Sequence, residues 1–73
     1  MHYSIRRTNF KTTDQEEAIE EVVRVYLAYH GLDNRSRART ERAYREMLEQ
    51  VLSETKICNY VSYGGIRLEV SKI

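Results

Sequence analysis

Arginine is concentrated in one short segment of the sequence. Five of the nine arginines lie between positions 35 and 45. A guanidinium group stays charged and donates hydrogen bonds in a planar fork that matches carboxylates and phosphates. Cations at the start of a helix oppose its dipole, so helix stability does not explain them. The segment predicts a contact surface for acidic protein groups or phosphates; the alternative is a solvated face with some ion pairs. The predicted contact residues are Arg35, Arg37, Arg39, Arg42 and Arg45.

A second candidate contact site lies near the end of the chain. Alternation of apolar and polar residues places Tyr60 on the outer face of a predicted hairpin, beside Arg67 and Glu69. An exposed tyrosine flanked by arginine is typical of protein interfaces. A cross-strand pair that only stabilises the sheet explains the pattern equally well. Tyr60 and Arg67 therefore form a secondary predicted patch.

Residues of the types used in catalysis are few and isolated. The sequence has no zinc-protease, serine-nucleophile or phosphate-loop motif. His2 is next to the terminus, and His30 lies at a predicted helix end, where it could interact with the helix dipole. Cys58 has no second cysteine nearby, and we interpret it as a small, semi-buried apolar residue. We expect a protein that is not an enzyme and that uses no cofactor, metal or small-molecule substrate.

Length and composition limit the possible classes of protein. The 73 residues predict a single domain, 1-73, with 41% hydrophobic residues to form one modest core. The net charge of +1 favours neither a nucleic acid nor an acidic partner. A single cysteine excludes an internal disulfide and favours a reducing, cytoplasmic location. We expect no signal peptide and no membrane-spanning segment.

The predicted elements define the fold class. Alternation over residues 2–8 predicts a strand, and Thr13 with Glu16 resembles a capping box that opens a first helix. Gly31 should end that helix in a left-handed conformation. Asp33 or Ser36 should cap a second helix that runs to about residue 53.

The C-terminal region predicts a β-hairpin around Gly64 and Gly65. The apolar side of this hairpin should include Ile57 in addition to alternating valine, isoleucine and leucine residues. The sequence thus predicts an α+β fold of order β-α-α-β-β, with two helices packed on a three-stranded sheet. The register that the two-residue turn implies pairs Tyr63 with Ile66, Val61 with Leu68 and Asn59 with Val70.

Two classes of function fit these features. One is a regulator that binds a cytosolic protein through its surface. The other is a nucleic-acid-binding module similar to a winged helix, in which the arginine-rich start of the second helix enters the major groove and Gly64 and Gly65 form the wing tip. The low net charge and the acidic residues between Asp14 and Glu21 weigh against the second class.

The length, the acidic-then-basic helical pair (Asp14 to Glu21, then Arg35 to Arg45) and the hairpin tail resemble a known group of proteins. The chain is similar to the small host-takeover proteins of bacteriophages, in particular to RNA polymerase-binding transcription regulators of the kind made by a Xanthomonas phage. The resemblance implies binding to the largest subunit of the host polymerase, inhibition of host transcription, antitermination and a location in the host cytoplasm. It assigns no role to any individual residue. Anti-restriction and anti-CRISPR proteins share the same general profile.

Overall fold

One antiparallel sheet of four strands carries the fold. The computed structural model describes all 73 residues, Met1–Ile73. The strands are β1 (His2–Ile5), β2 (Phe10–Thr12), β3 (Cys58–Tyr63) and β4 (Ile66–Ser71). Their order across the sheet is β2-β1-β4-β3, so the first and last strands of the chain lie side by side in its centre. The α+β class predicted from the sequence is confirmed.

The predicted count of three strands is wrong because residues 2–8 do not form one strand. β1 ends at Ile5, and Arg6–Thr8 form a 3-10 turn. Asn9 then adopts a left-handed conformation with φ 57°, which asparagine tolerates better than most residues. The chain reverses there, and Phe10 pairs with Ile5. The order of elements is therefore β-β-α-α-β-β.

The first helix, α1, spans Gln15–His30. Asp14 caps it rather than Thr13, because an Asp14 carboxylate oxygen accepts from the backbone N–H of Glu16 at 2.9 Å and of Glu17 at 3.3 Å. Gly31 ends the helix with φ 65°, as predicted. The predicted capping box was therefore one residue out of place, whereas the helix end was correct.

The second helix, α2, spans Arg37–Ser53 and ends where the sequence predicts. A 3-10 turn, Asn34–Ser36, precedes it. Asp33 caps that turn by accepting from the backbone N–H of Arg35 at 3.0 Å, whereas the Ser36 side chain makes no capping bond. Neither helix combines the length with the apolar run that crossing a bilayer requires.

The β3–β4 hairpin has the predicted register, with Tyr63 opposite Ile66, Val61 opposite Leu68 and Asn59 opposite Val70. Gly64 and Gly65 form the turn with φ values of 60° and 82°. Ile57 is the exception: it precedes β3 and is 57% exposed, so it does not join the apolar side.

Both helices pack on the same face of the sheet. The core between the two layers contains 14 buried hydrophobic residues, including Ile19 and Val22 of α1, Leu48 of α2 and Ile5 and Leu68 of the sheet. The opposite face of the sheet carries no covering element, and its side chains are exposed or half-buried. These outward-facing residues are His2, Ser4, Lys11, Cys58, Tyr60, Ser62, Arg67, Glu69 and Ser71.

Tyr44 is fully buried, although the sequence predicts a core-edge tyrosine with its hydroxyl in water. The hydroxyl lies 3.0 Å from the carbonyl oxygen of Tyr63 and 3.1 Å from that of Ile66, so its proton is shared between the two ends of the hairpin turn. Burial raises the pKa of Tyr44 well above its ordinary value. Tyr44 therefore connects the middle of α2 to the tip of the β3–β4 hairpin.

We expect the Tyr44→Phe substitution to reduce the free energy of unfolding by about 1–3 kcal/mol, because the buried carbonyl of Ile66 and the partly buried carbonyl of Tyr63 lose this hydrogen-bond donor. Urea denaturation followed by circular dichroism measures this loss. Tyr29→Phe is the matched control, because the exposed Tyr29 hydroxyl makes no hydrogen bond in the protein. It should change stability by less than about 0.5 kcal/mol; an equal loss in both variants would contradict the role of the Tyr44 hydroxyl.

Candidate contact surface

The solvent-facing side of α2 carries two arginines that make no ion pair. Arg39 and Arg42 are exposed, and neither guanidinium group is within ion-pair distance of a carboxylate. The sequence offers Glu46 as a partner for Arg42 at the i,i+4 spacing, but that pair does not form. Arg39 and Arg42 are three residues apart, so they lie on the same side of the helix. Their hydrogen-bond donors are free to meet a carboxylate of another molecule.

Arg45 is engaged within the domain, unlike Arg39 and Arg42. Its guanidinium group donates to both carboxylate oxygens of Glu16, at 2.8 and 2.5 Å, and to Glu41 at 2.9 Å. The fork geometry joins the middle of α2 to the first turn of α1. Its hydrogen bonds to Glu16 and Glu41 raise the pKa of Arg45, so the group stays charged. Arg45 therefore links α2 to α1 through its hydrogen bonds to Glu16.

The hydrogen bonds from Arg45 hold the pKa of Glu16 below its ordinary value of 4.5. Because the folded-state pKa is lowered, the stabilisation is present above about pH 4.5 and is lost as the pH falls through the folded-state pKa. We expect the Arg45→Gln substitution to raise the pKa of Glu16 toward the ordinary value. An NMR titration of the Glu16 side-chain carboxyl group measures it. Arg42→Gln is the control that should leave the pKa unchanged; the same Glu16 pKa in wild type and Arg45→Gln would refute the assignment.

Arg35 and Arg37 begin the arginine-rich segment but face carboxylates of the same chain. The Arg35 Nε lies 3.3 Å from an Asp33 oxygen, and its side chain is 92% exposed, so this pair contributes little stability. Arg37 lines a cleft of α1 acids that includes Glu17 and Glu20. Arg37 makes no ion pair either, so Arg39 and Arg42 are the two of the five predicted arginines that neither form an ion pair nor line this acidic cleft.

A shallow groove runs between α2 and the edge strand β3. Met47 and Val51 line it from the helix, and Tyr60 lines it from the strand, with a volume of about 400 Å³. Met47 is 38% exposed and Tyr60 is 49% exposed, so both side chains can contact another molecule. Glu46, four residues after Arg42 and on the same side of the helix, also lines the groove. The groove therefore connects the predicted arginine surface with the predicted Tyr60 patch.

The secondary patch predicted from the sequence forms a defined pair. The Arg67 guanidinium lies over the Tyr60 ring, 4.1 Å from its centre. This cation–π contact restricts the rotation of both side chains, so they keep a stacked arrangement on the outer face of the sheet. Tyr60 thus borders both the groove and the outer face.

A cluster of four rings at one end of the molecule was not foreseen from the sequence. Tyr26 stacks on Tyr63 with ring centres 5.1 Å apart, and Tyr44 meets both rings edge-on. His30 packs against Tyr26, and its Nε2 donates to the carbonyl oxygen of Gly64 at 2.7 Å, since a carbonyl can only accept. The spacing of Tyr26 and His30 by four residues on α1 was the available signal. The cluster fixes the hairpin tip against both helices.

Burial and the neighbouring Tyr63 raise the pKa of Tyr26, and the positive charge of Arg39 acts on the same hydroxyl in the opposite direction.

His2, Cys58 and Glu69 line one cleft on the outer face of the sheet, and no hydrogen bond joins them. Cys58 is exposed rather than semi-buried, because the outer face of the sheet has no covering layer. No group of three or more His, Cys, Asp or Glu side chains is arranged to hold a metal ion. Comparisons of the chain with protein-family models, with curated proteins and with solved structures each gave no match.

Proposed function

We propose that this chain is a non-enzymatic binding domain that contacts an acidic surface of a partner protein through the solvent-facing side of α2. The observation that carries the proposal is the pair of exposed, unpaired guanidinium groups of Arg39 and Arg42 beside an apolar groove. Protein interfaces combine an apolar centre with a polar rim and are enriched in arginine, tyrosine and methionine. Met47 and Tyr60 supply the centre, and the two arginines supply the rim.

The size of the molecule fits this mode of action. The total accessible surface is 4854 Å², and a standard protein interface covers about 800 Å² per partner. One interface would therefore occupy about a sixth of the surface. Carboxylates on the partner would pair with Arg39 and Arg42, and complementary charge would speed association.

Bacterial RNA polymerase is the partner that we propose first, because the chain resembles the small phage regulators of transcription. On this proposal the domain acts in the host cytoplasm and inhibits or modifies host transcription. The acidic start of α1, with Glu17 and Glu20, carries the opposite charge from the α2 surface. The two patches would orient the domain as it approaches a partner.

A winged-helix mode of nucleic-acid binding is less well supported. In that mode the hairpin tip projects as a free wing, whereas here Tyr44 and His30 hydrogen-bond to the tip and β4 lies in the centre of the sheet. The first helix also presents its acids close to Arg37. Carboxylates of a protein and phosphates of a nucleic acid both pair with arginine. An experiment is therefore needed to distinguish protein binding from nucleic-acid binding.

An affinity pull-down from bacterial lysate, with and without nuclease, tests the proposed function. We expect RNA polymerase subunits among the retained proteins, identified by mass spectrometry, and we expect their retention to survive nuclease treatment. The Arg39→Glu/Arg42→Glu variant, coupled to the same resin, is the matched control and should retain far less. Loss of every partner after nuclease treatment would favour the nucleic-acid mode instead.

A further inference from the structure

Three arginines that the proposed protein contact does not use converge at one end of the sheet. Arg6 and Arg7 come from the 3-10 turn after β1, and Arg67 comes from β4; together with Gly65 they line a cleft of about 340 Å³. No carboxylate residue lines this cleft. Gly65 leaves open space beside its backbone, since an added Cβ would meet nothing within 4 Å. The cleft is therefore cationic and accessible from outside.

Aromatic rings hold two of these guanidinium groups in place. Arg7 lies over the Tyr29 ring and Arg67 over the Tyr60 ring, each 4.1 Å from the ring centre. Stacking uses the flat face of a guanidinium group and leaves the N–H groups at its edge free. Arg7 makes no ion pair or side-chain hydrogen bond, and neither does Arg67. The donors are thus pre-organised for an anion that is not part of the chain.

Arg6, the third arginine of the cleft, makes one weak ion pair within the domain. Its Nη2 lies 3.3 Å from a Glu69 oxygen, and its side chain is 78% exposed. An ion pair this exposed contributes little free energy, so it can be exchanged for a contact with another anion. All three arginines are consequently available.

Positive and negative charges lie on different sides of the molecule, although the net charge of the whole chain is only +1. Arg6, Lys11 and Arg67 lie on or beside the outer face of the sheet, and Glu69 is the one acid there. Arg7 lies at the end of the sheet, against Tyr29 of α1. The chain has 12 basic and 11 acidic residues, so the remainder contains eight basic and ten acidic groups. The outer face and this end of the sheet therefore have a formal charge of about +3 and the rest of the molecule about −2. The acids of α1 belong to the helical layer, on the other side of the sheet.

We propose that the outer face of the sheet binds a single-stranded nucleic acid, with its phosphates in the cleft formed by Arg6, Arg7 and Arg67. An unpaired base stacks on a planar group, and both an aromatic ring and a guanidinium plane serve this purpose. The stacked pair of Tyr60 and Arg67 provides such a plane next to the phosphate cleft. A duplex keeps its bases stacked inside and cannot use this pair. The proposed site shares Tyr60 with the α2 contact, but none of its arginines belongs to that contact, and the proposal does not depend on it.

Fluorescence anisotropy with a labelled 12-nucleotide oligothymidylate, titrated at several salt concentrations, tests this proposal. Each phosphate contact to a single strand contributes about −0.7 to the slope of log affinity against log salt, so three arginines should give about −2. The Arg7→Gln/Arg67→Gln variant should bind about 100-fold more weakly and reduce the slope to about −0.7. Arg7→Lys/Arg67→Lys should keep most of the slope but lose affinity, because lysine keeps the charge and loses the fork.

The Arg39→Gln/Arg42→Gln variant removes the same charge from α2 and is the matched control, so its affinity for the oligonucleotide should equal that of the wild type. Circular dichroism melting curves establish that each variant is folded. Three results would overturn the proposal: no binding at low salt, an equal loss in the α2 variant, or a duplex that binds as tightly as the single strand. A failure here would leave the proposed protein contact untouched, since the pull-down tests Arg39 and Arg42, which do not line this cleft.

Discussion

Replacing Gly64 with alanine should lower the melting temperature of this domain by about 15 °C or more. Gly64 has φ 60°, a left-handed conformation that costs an alanine about 1–2 kcal/mol. A Cβ there would lie 2.9 Å from the His30 Nε2 and closer still to the Tyr26 ring. Displacing these packed rings adds about 1–3 kcal/mol. In a domain of this size each kcal/mol shifts the melting temperature by about 4–8 °C.

Gly65→Ala is the control that separates the cost of a left-handed alanine from the cost of displacing the packed rings. Gly65 has φ 82°, so alanine is strained there as well, but its Cβ would meet no atom within 4 Å. We expect this variant to lose only the conformational part, a decrease of about 5–10 °C. Thermal denaturation followed by circular dichroism compares the two. Equal melting temperatures for Gly64→Ala and Gly65→Ala would show that a Cβ at position 64 does not clash with the rings of Tyr26 and His30.

The comparison of Gly64 with Gly65 also illustrates which features the sequence could predict. Two glycines between alternating runs were sufficient to place the turn and its register, because turn geometry is a local property. The packing of Tyr26 and His30 against Gly64 depends on how α1 lies over the hairpin, which no local pattern encodes. Tyr44 was misplaced for the same reason, since its hydroxyl bonds only to a turn about 20 residues away.

The N-terminal strands show a second limit. Residues 2–8 alternate correctly, but a strand and a tight reversal of the chain differ only in the conformation of Asn9. The alternation placed Tyr3, Ile5 and Arg7 on one side of the predicted strand; Tyr3 and Ile5 are buried, Arg7 lies in the 3-10 turn, and β2 was missed. Without β2, the cationic end of the sheet around Arg6 and Arg7 could not be recognised, because these residues were assigned to the strand itself.

The arginine cluster was predicted as one surface, and the structure separates its members. Helical spacing allowed Arg45 to pair with Glu41 but gave no indication of Glu16, which is 29 positions away. Spacing also suggested an Arg42–Glu46 pair that does not form. Which arginine is free depends on where α1 places its acids, and that is set by tertiary packing.

Reversing the charge of Arg39 and Arg42 together should weaken partner binding by about 100-fold. A hydrogen bond between arginine and a carboxylate of the partner contributes roughly 1.5–3 kcal/mol, and a glutamate in its place repels that carboxylate. Because neither side chain makes an ion pair within the domain, Arg39→Glu/Arg42→Glu should unfold at nearly the wild-type temperature. Biolayer interferometry against the partner recovered from lysate measures the affinity.

The control for this variant is Lys11→Glu/Arg6→Glu, which makes the same change in net charge on the outer face of the sheet. It should bind the protein partner as the wild type does, apart from a small decrease in association rate due to the altered total charge. Similar losses in both variants would mean that net charge, and not the α2 surface, determines binding.

In-cell photo-crosslinking tests the α2 contact most directly, because it reports the partner at a chosen position. A photoreactive amino acid is placed at Glu46, on the solvent-facing side of α2, or at Glu20, on α1. After irradiation in bacteria, we expect a nuclease-resistant protein adduct from position 46, identified by mass spectrometry as an RNA polymerase subunit, and little from position 20. Adducts from position 20 alone, or from neither position, would contradict the α2 contact.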